Sequence, residues 1–245
     1  MCGRVIQASP PDLLGLKIVA ALDGRDNRIP TDRFGNMPAR YNGAPSQELW
    51  VIRRRPDTGE RTLDLLRWGL VPSWCKEKPK PPPINAKGET AAKLPMFREA
   101  FARRRCILPI DGFYEWRAIK GAKVKQPYAI AMKDCSPFGL AGLWENWKEP
   151  ATGEWIRTFC VITVPANEMV SAIHDRMPAI LKPGDYDAWL AGDGNPTEML
   201  RSFPSEPMTM WPISTRVNSP KNDDAALLKV VVEADVSAPP DGNSA

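Results

Sequence analysis

The chain has 245 residues, of which 43% are hydrophobic and 25% are charged, and its net charge is +4. These fractions are close to those of ordinary globular proteins, although proline, with 26 residues, is about twice as frequent as usual. The composition excludes a disordered chain, a collagen and a coiled coil, and the modest basic excess is compatible with a polyanionic partner.

The N-terminal half alternates a few helical segments with short strands. Pro10-Pro11-Asp12 opens a predicted helix, because proline suits the first helical turn. Asp57-Thr58-Gly59-Glu60 is typical of a hairpin turn, and the prolines from Lys76 to Pro83 indicate an extended, exposed loop. The elements predicted here are a helix over Leu13–Leu22, strands over Leu49–Arg53 and Thr62–Trp68, a helix over Met96–Arg105 and a strand over Cys106–Ile110.

The C-terminal half contains more strands, followed by short helices. A second turn is predicted at Ala151-Thr152-Gly153-Glu154, and residues 237–245 are typical of a frayed tail. The predicted strands are Tyr128–Met132, Gly139–Leu143, Thr158–Val164 and Met208–Pro212, and the predicted helices are Asn167–Ile173, Pro183–Ala191, Thr197–Phe203 and Lys221–Lys229.

These elements predict an α+β fold. We expect a single domain built around antiparallel β-sheets, either barrel-like or two packed sheets, with peripheral helices. The domain spans residues 1–232, and residues 233–245 form a flexible C-terminal tail. That tail holds three acidic residues and no basic one, so residues 1–232 carry a net charge of +7.

Cysteine and histidine content restricts the kinds of site that the chain can hold. Its five cysteines are an odd number without a Cys-x-x-Cys pair, which argues against a disulfide framework and a zinc ribbon. His174 is the only histidine, so sites built from several histidines are excluded. We expect no metal and no cofactor.

Two further signals are missing from the sequence. No apolar run approaches the ~18–20 residues of a membrane span, and no signal-peptide pattern is present. We therefore expect a cytoplasmic or nucleoid-associated protein without membrane contact.

Cys2 carries the most distinctive chemistry. Once Met1 is removed, the α-amine and the thiol stand on adjacent carbons, with ordinary pKa values of ~7.7–8.0 and ~8.5. Such a 1,2-aminothiol condenses with an aldehyde, first as a Schiff base and then as a five-membered thiazolidine. The mechanism requires Cys2 to reach a groove that can hold a nucleotide strand. Considered alone, Cys2 favours the simpler interpretation, an accidental cysteine at a loose terminus.

Several separated motifs appear behind this Met-Cys-Gly-Arg start. They are RYNGAP (40–45), WGLVPSW (68–74), INAKGET (84–90), RCILPIDGFYEW (105–116), TVPAN (163–167), IHDRMP (173–178) and STRVN (214–218). In this order they resemble the SRAP family, the SOS response-associated peptidases or abasic-site processing proteins. The resemblance runs from Cys2 to about Asn218.

The resemblance implies a role in the response to DNA damage. Family members bind single-stranded DNA that contains an abasic site, and they trap its open-chain aldehyde as a thiazolidine at the N-terminal cysteine. The resulting covalent DNA–protein crosslink shields the lesion. It also implies peptidase activity, by which the chain exposes its own cysteine, and lyase activity. We expect a monomer.

The resemblance also implies a catalytic set of Cys2, Asn85, Glu115 and His174. Glu115 lies among aromatic residues, where partial desolvation favours a raised pKa and proton transfer. His174 suits the protonation of the deoxyribose ring oxygen. Asn85 is an uncharged amide that can hold the sugar hydroxyls or the cysteine backbone. Taken singly, each is equally consistent with a structural role.

The DNA-binding set consists of Arg4, Trp68, Lys87, Trp116 and Arg176. The two tryptophans are predicted to stack on flanking bases, and Arg4 and Arg176 to hold phosphates. Lys87 stands where the family pattern has arginine, and lysine offers a point charge in place of a planar fork. The charge run Arg53–Arg55 is predicted to be a solvated hairpin edge.

Two alternatives remain at the level of sequence. N-terminal-nucleophile amidotransferases also begin Met-Cys-Gly and use the cysteine on glutamine. They need an oxyanion-forming Asn-Gly pair, for which Asn42-Gly43 is the only candidate in the sequence. The second alternative is a non-covalent single-strand binder in which Cys2 has no chemical role.

Overall fold

A computed structural model describes residues 2–10, 14, 39–56, 58–119, 121, 124–192 and 196–232. The helix predicted over Leu13–Leu22 lies outside the described residues, apart from the buried Leu14. The tail predicted over residues 233–245 also lies outside them, as does Asp57 of the first predicted turn.

Strands dominate the described part of the chain, and the helices are short. The strands are β1 (Val5–Gln7), β2 (Arg40–Gly43), β3 (Glu48–Arg54), β4 (Arg61–Trp68), β5 (Asn85–Lys87), β6 (Arg105–Ile110), β7 (Gly112–Arg117), β8 (Gln126–Met132), β9 (Phe138–Lys148), β10 (Trp155–Pro165), β11 (Arg176–Pro178) and β12 (Met208–Pro212). The α-helices are α1 (Gly88–Ala91), α2 (Pro95–Arg103), α3 (Glu168–Ser171), α4 (Tyr186–Ala191) and α5 (Pro196–Met199), and 3-10 turns span Pro183–Asp185, Thr215–Asn218 and Ala225–Leu228.

One sheet closes on itself. Its order is β10-β4-β3-β6-β9, and β9 also pairs with β10, so the sheet returns to its first strand. The long strand β10 extends beyond this ring, where it pairs with β5 on one edge and β11 on the other. The pairs β4–β10 and β5–β10 are parallel, whereas we expected antiparallel pairing throughout.

The second sheet is antiparallel, with the order β12-β8-β7-β1-β2. Its inner face, which includes Val5 and Phe113, shares one hydrophobic core with the closed sheet. Its outer face packs around Tyr114 in a smaller cluster with residues of the 3-10 turns. The α+β prediction, with a barrel-like sheet and a second packed sheet in one domain, is therefore confirmed.

The seven predicted strands are all present, and β9 and β10 extend several residues beyond their predicted bounds. Both predicted turns connect paired strands, with Gly59 and Gly153 at positive φ of 72° and 75°. The segments Thr197–Phe203 and Lys221–Lys229 hold only one short turn of helix each, at Pro196–Met199 and Ala225–Leu228. Neither contains enough apolar periodicity to bury a longer helix.

The sequence analysis did not predict β1, β2, β5, β7 and β11, and four of these are only three or four residues long. Each of the five lies in or beside one of the motifs. Four of them contain a glycine, asparagine or proline, residues that are typical of turns, and β1 is only three residues long, so the local pattern gives little strand signal. Pairing with longer neighbouring strands keeps them extended.

Side chains anchor the start of the chain between the two sheets. The Gln7 amide donates to the carbonyls of Trp50 and Pro109 and accepts from the Trp50 N–H. The Asp111 carboxylate accepts hydrogen bonds from the N–H groups of Ala8 and Ser9. These contacts hold β1, and therefore Cys2 just before it, in a defined place.

No helix among the described residues is long and apolar enough to span a membrane.

Candidate functional site

Cys2 lies where the extended end of β10 meets the second sheet. The Asn85 Nδ2 group, on β5, donates a hydrogen bond of 2.8 Å to the Cys2 carbonyl. Glu115, on the adjacent part of the second sheet, interacts electrostatically with the Cys2 thiol, and His174, just before β11, interacts with Glu115. The fold thus gathers four residues that are up to 172 positions apart in the sequence.

The Cys2 side chain is fully buried, with 0% exposure, in the chain that still includes Met1. Burial raises the pKa of the thiol well above its usual range, and the nearby Glu115 carboxylate raises it further. The requirement for a Cys2 that opens into a groove is therefore not met before processing. The physical reason is that Cys2 packs into the hydrophobic core that the two sheets share.

Glu115 is also buried, with 2% of its surface exposed. Burial raises the pKa of its carboxyl group, and the charge of His174 is among the smaller effects that lower it. A carboxyl group in such surroundings retains its proton to higher pH than an exposed one, and it can act as a proton donor or, once ionised, as a proton acceptor.

His174 is partly exposed, so its imidazole can meet both the buried pair and a ligand from outside. Its Nδ1 lies 3.0 Å from the backbone N–H of Arg176, which can only donate. Nδ1 is therefore the acceptor, and Nε2 carries the proton of the neutral ring. The Asp175 carboxylate, 86% exposed, lies 2.9 Å from the same nitrogen.

Two residues on β5 face different surroundings. Asn85 is partly buried. Its Nδ2 holds Cys2, and its buried Oδ1 has no hydrogen-bond partner among the described residues. Lys87, two residues later, is exposed. The first is placed to orient Cys2, and the second presents a positive charge at the surface.

Trp68 does not lie at the surface. Its ring has 0% exposure and stacks on Phe159 at a centroid distance of 5.9 Å, and its Nε1 donates to the Ile84 carbonyl. This leaves no ring face on which a base can stack, so Trp68 is a core residue. The prediction that it binds DNA is corrected.

Trp116 and Arg4 share a partner in the 3-10 turn Thr215–Asn218. The Trp116 Nε1 donates a hydrogen bond of 2.8 Å to Asn218 Oδ1, and the Arg4 Nη2 donates one of 3.3 Å to the Asn218 carbonyl. Both side chains are partly exposed, and Arg4 has no carboxylate partner among the described residues. They form an aromatic and cationic surface next to Glu115.

Arg176 is held by protein groups. Its guanidinium makes two hydrogen bonds of 2.9 Å to the Glu89 carboxylate and two more to the hydroxyl and carbonyl of Thr163. Four of its five N–H groups are therefore in use, which conflicts with its predicted role as a phosphate contact.

The sequence analysis did not single out Trp74 or Asn218. Trp74, at the end of WGLVPSW, is 58% exposed on the loop that leads to β5. The motif itself was visible, but the choice between its two tryptophans depends on burial. Asn218 was quoted within STRVN, yet its contacts to Trp116 and Arg4 arise only in the folded chain.

Asn42 has a structural role. It is fully buried, and its Nδ2 lies within hydrogen-bond distance of the carbonyls of Val217, Ser219 and Asn222. The amide therefore holds the segment that carries Asn218, and it is not available to stabilise an oxyanion at Cys2. This geometry argues against the amidotransferase alternative.

Within the described residues, no group of three or more histidine, cysteine, aspartate or glutamate side chains could hold a metal ion.

The sequence matches the SOS response associated peptidase (SRAP) family over residues 1–220. It is 38% identical to abasic site processing protein YoqW of Bacillus subtilis, over 94% of this chain and 99% of that one. It is 31% identical to abasic site processing protein HMCES of Xenopus tropicalis, over 95% and 79% of the two chains.

A crystal structure of a protein from Bacteroides thetaiotaomicron matches this fold with a TM-score of 0.77. The two chains are 26% identical, and the match covers 94% of this chain and all of that one. The resemblance seen in the motifs is confirmed: this chain belongs to the SOS response associated peptidase (SRAP) family.

Proposed function

We propose that this protein processes abasic sites in single-stranded DNA by forming a covalent crosslink through Cys2. The observation that carries the proposal is the grouping of Cys2 with Asn85, Glu115 and His174 at one place between the sheets. The names of its relatives, abasic site processing proteins of bacteria and vertebrates, support the substrate class.

The chemistry follows from the aminothiol. The Cys2 α-amine adds to the C1′ aldehyde of the ring-opened deoxyribose, and loss of water gives a Schiff base. The thiol then adds to the imine carbon, and its proton moves to the nitrogen. The product is a thiazolidine, so one aldehyde and one aminothiol yield one ring and one water.

The surrounding groups suit the proton transfers of these steps. A protonated Glu115 can donate to the departing hydroxyl, and its carboxylate can then accept the proton of the buried thiol. His174, at the edge of the site, can protonate the ring oxygen as the sugar opens to its aldehyde. Asn85 holds the carbonyl of Cys2, which fixes the reacting residue.

The burial of Cys2 makes removal of Met1 part of the proposal. Removal frees the α-amine that the crosslinking chemistry requires. The grouping of Cys2 with Glu115 supports a self-catalysed peptidase step, although an aminopeptidase would yield the same N-terminus. Mass spectrometry of the purified protein should find Cys2 as the first residue, and retention of Met1 would count against the mechanism.

The DNA surface in this proposal consists of Arg4, Lys87, Trp74 and Trp116. Arg4 and Lys87 supply positive charge for phosphates, and the exposed rings of the two tryptophans supply stacking surfaces. Arg4 and Lys87 lie two residues from Cys2 and Asn85, and Trp116 directly follows Glu115. We expect a monomer that acts in the cytoplasm at the nucleoid.

A denaturing gel tests the proposal. Protein is incubated with a single-stranded oligonucleotide that carries one abasic site, and a shifted band that survives denaturant is expected. Cys2→Ala should not form this stable band. Since Cys2→Ala keeps the α-amine, its Schiff base should be trapped by borohydride and should otherwise cleave the strand, which reports the lyase activity.

Two controls complete the test. Cys135→Ala removes an exposed cysteine and should leave the band unchanged. An N-terminal tag ahead of Cys2 should abolish crosslinking but preserve non-covalent binding. An equally stable band from Cys2→Ala would leave only the non-covalent alternative.

A further inference from the structure

Asn218 contacts both side chains of the aromatic and cationic surface next to Glu115. The Trp116 Nε1 group can only donate a hydrogen bond, so Asn218 Oδ1 faces it, at 2.8 Å. The carbonyl of the same residue accepts a hydrogen bond of 3.3 Å from Arg4 Nη2. A single exposed residue thus contacts an aromatic ring through its side chain and a guanidinium through its backbone.

The 3-10 turn that ends at Asn218 is fixed to strand β2. The Nδ2 group of Asn42, on β2, lies 3.1 Å from the carbonyls of both Val217 and Ser219, the residues on either side of Asn218. Further along the chain, the Asp223 carboxylate accepts hydrogen bonds from two backbone N–H groups of β2. The backbone at Asn218 is therefore held at both of its neighbours.

The turn is also tied to the strands whose side chains it contacts. Strand β2 pairs with β1, which begins directly after Arg4, and β1 pairs with β7, which carries Trp116. Val217 of the turn is fully buried in the cluster around Tyr114, which also lies on β7. The same sheet therefore places Asn218 relative to both of its partners.

The contacts of Arg4 leave its charge uncompensated. Its guanidinium donates to the carbonyls of Gly3 and Asn218, which are neutral acceptors, and it has no carboxylate partner within the described part of the chain. The two acidic residues that follow the turn are each paired with a different arginine, in the ion pairs Arg40–Asp223 and Arg216–Asp224. A phosphate at Arg4 would therefore meet an oriented positive charge.

We propose that Asn218 is a positioning residue for DNA binding. Its side chain fixes the plane of the Trp116 ring for stacking on a base, and its carbonyl directs the Arg4 guanidinium toward a phosphate. A ring and a charge that are already oriented lose less conformational entropy when DNA binds. This inference rests on the proposed function, and it predicts a loss of affinity rather than of reaction rate when the contact with Trp116 is broken.

The test uses the full-length processed protein with Asn218→Ala, Trp116→Phe and the double variant. Trp116→Phe keeps an aromatic ring but removes the indole N–H. Anisotropy titrations with undamaged single-stranded DNA should show about two- to tenfold weaker binding for Asn218→Ala, the usual effect of one hydrogen bond. In the Trp116→Phe background, Asn218→Ala should cause no further loss, because the bond is already absent. A further loss of the same size would overturn the inference.

The kinetics of crosslinking provide a second readout. For Asn218→Ala, the DNA concentration at half-saturation should rise by the same factor as in the titrations, while the rate at saturating DNA stays within about twofold of wild type. Thr215→Ala, at an exposed position in the same turn, is the matched control and should change neither quantity. A lower saturated rate with unchanged half-saturation would contradict a role in binding.

Nuclear magnetic resonance separates this inference from the crosslinking proposal. The sequence contains nine tryptophans, and Trp116→Phe identifies the indole N–H signal of Trp116 by its disappearance. In Asn218→Ala this signal should shift, whereas Thr215→Ala should leave it in place. An unshifted signal would refute the positioning role even if crosslinking occurs. If the wild-type protein binds DNA as described but does not crosslink, the proposed chemistry fails and this inference stands.

Discussion

Glu115 and Cys2 are two buried acidic groups, and the Glu115 carboxylate favours the protonated form of the Cys2 thiol. Burial raises both pKa values, and the Glu115 carboxylate adds to the effect on the thiol. A thiol in this state is protected from indiscriminate oxidation and metal binding, because the thiolate is the reactive form. Its proton must therefore leave during the reaction, and Glu115 is the base at hand.

Replacement of Glu115 should change how stability depends on pH. The folded state binds the carboxyl proton more tightly than the unfolded state, so this group loses its stabilising contribution as pH rises from the ordinary pKa through the raised one. Urea denaturation gives the free energy of unfolding of Glu115→Gln minus that of the wild type. This difference should be more positive at pH 7 than at pH 4. A difference that does not vary with pH would contradict the raised pKa.

His174→Ala should slow crosslinking with little loss of affinity. The imidazole is proposed to move a proton, and it is only partly exposed at the edge of the site, so few binding contacts disappear with it. Single-turnover kinetics give the rate and fluorescence anisotropy gives the affinity. Asp175→Asn, at an exposed neighbour, is the control, and wild-type kinetics in His174→Ala would remove the residue from the mechanism.

At the scale of elements, the loop between β4 and β5 is tethered at both sides of Trp74. The Leu70 N–H donates to the Pro83 carbonyl at 2.9 Å, and the Trp147 Nε1 donates to the Cys75 carbonyl at 2.7 Å. The loop therefore presents Trp74 on a constrained backbone, which reduces the entropy lost when a base stacks on the ring. The proline-rich segment that follows ends at Pro83, whose carbonyl accepts the first of these hydrogen bonds.

Trp74→Ala should weaken binding of single-stranded DNA by about 1–3 kcal/mol, the usual value for one base stacked on an aromatic ring. Trp155 provides a matched control, because it is 64% exposed on the β9–β10 hairpin. Anisotropy titrations should show a loss for Trp74→Ala and none for Trp155→Ala. Equal effects of the two variants would exclude a specific stacking site at Trp74.

For the molecule as a whole, the closed sheet is the scaffold of the site, because its strand β10 pairs with β5, which carries Asn85. Trp68 fills its interior against Phe159, and Gly69 directly after it donates to the Phe159 carbonyl. The burial of Trp68 assigns it to stability, whereas DNA binding is proposed for the exposed Trp74 of the same motif.

Trp68→Ala should lower the free energy of unfolding by about 3–5 kcal/mol, as expected for a fully buried tryptophan. Urea denaturation measures this loss, and Trp74→Ala should change stability by less than about 0.5 kcal/mol. A stable Trp68→Ala protein with impaired DNA binding would restore the original prediction for that residue.

The protein should also discriminate between DNA forms. Unpaired bases are required for stacking on Trp74 and Trp116, so intact duplex should bind more weakly than single strands or single-to-double-strand junctions. Competition anisotropy at one fixed salt concentration compares the three forms. Equal affinity for duplex would contradict the stacking surface.

The longer elements followed from the sequence because their signal is local. Strands such as β3, β4 and β12 were evident from apolar runs bounded by turn residues, and the hairpin turns from their glycines. The chemistry of Cys2 and the family motifs were equally legible, since they depend on residue type and order alone.

Tertiary structure decided what each motif residue does. Residue type alone does not distinguish Trp68 from Trp74 as a candidate DNA contact, but burial does. Likewise, Arg176 differs from Lys87 because its guanidinium is paired with the Glu89 carboxylate. The short strands β5 and β11 exist through pairing with β10, which brings Asn85 and His174 beside Cys2. Burial and long-range pairing are properties of the packed chain, so no local pattern could reveal them.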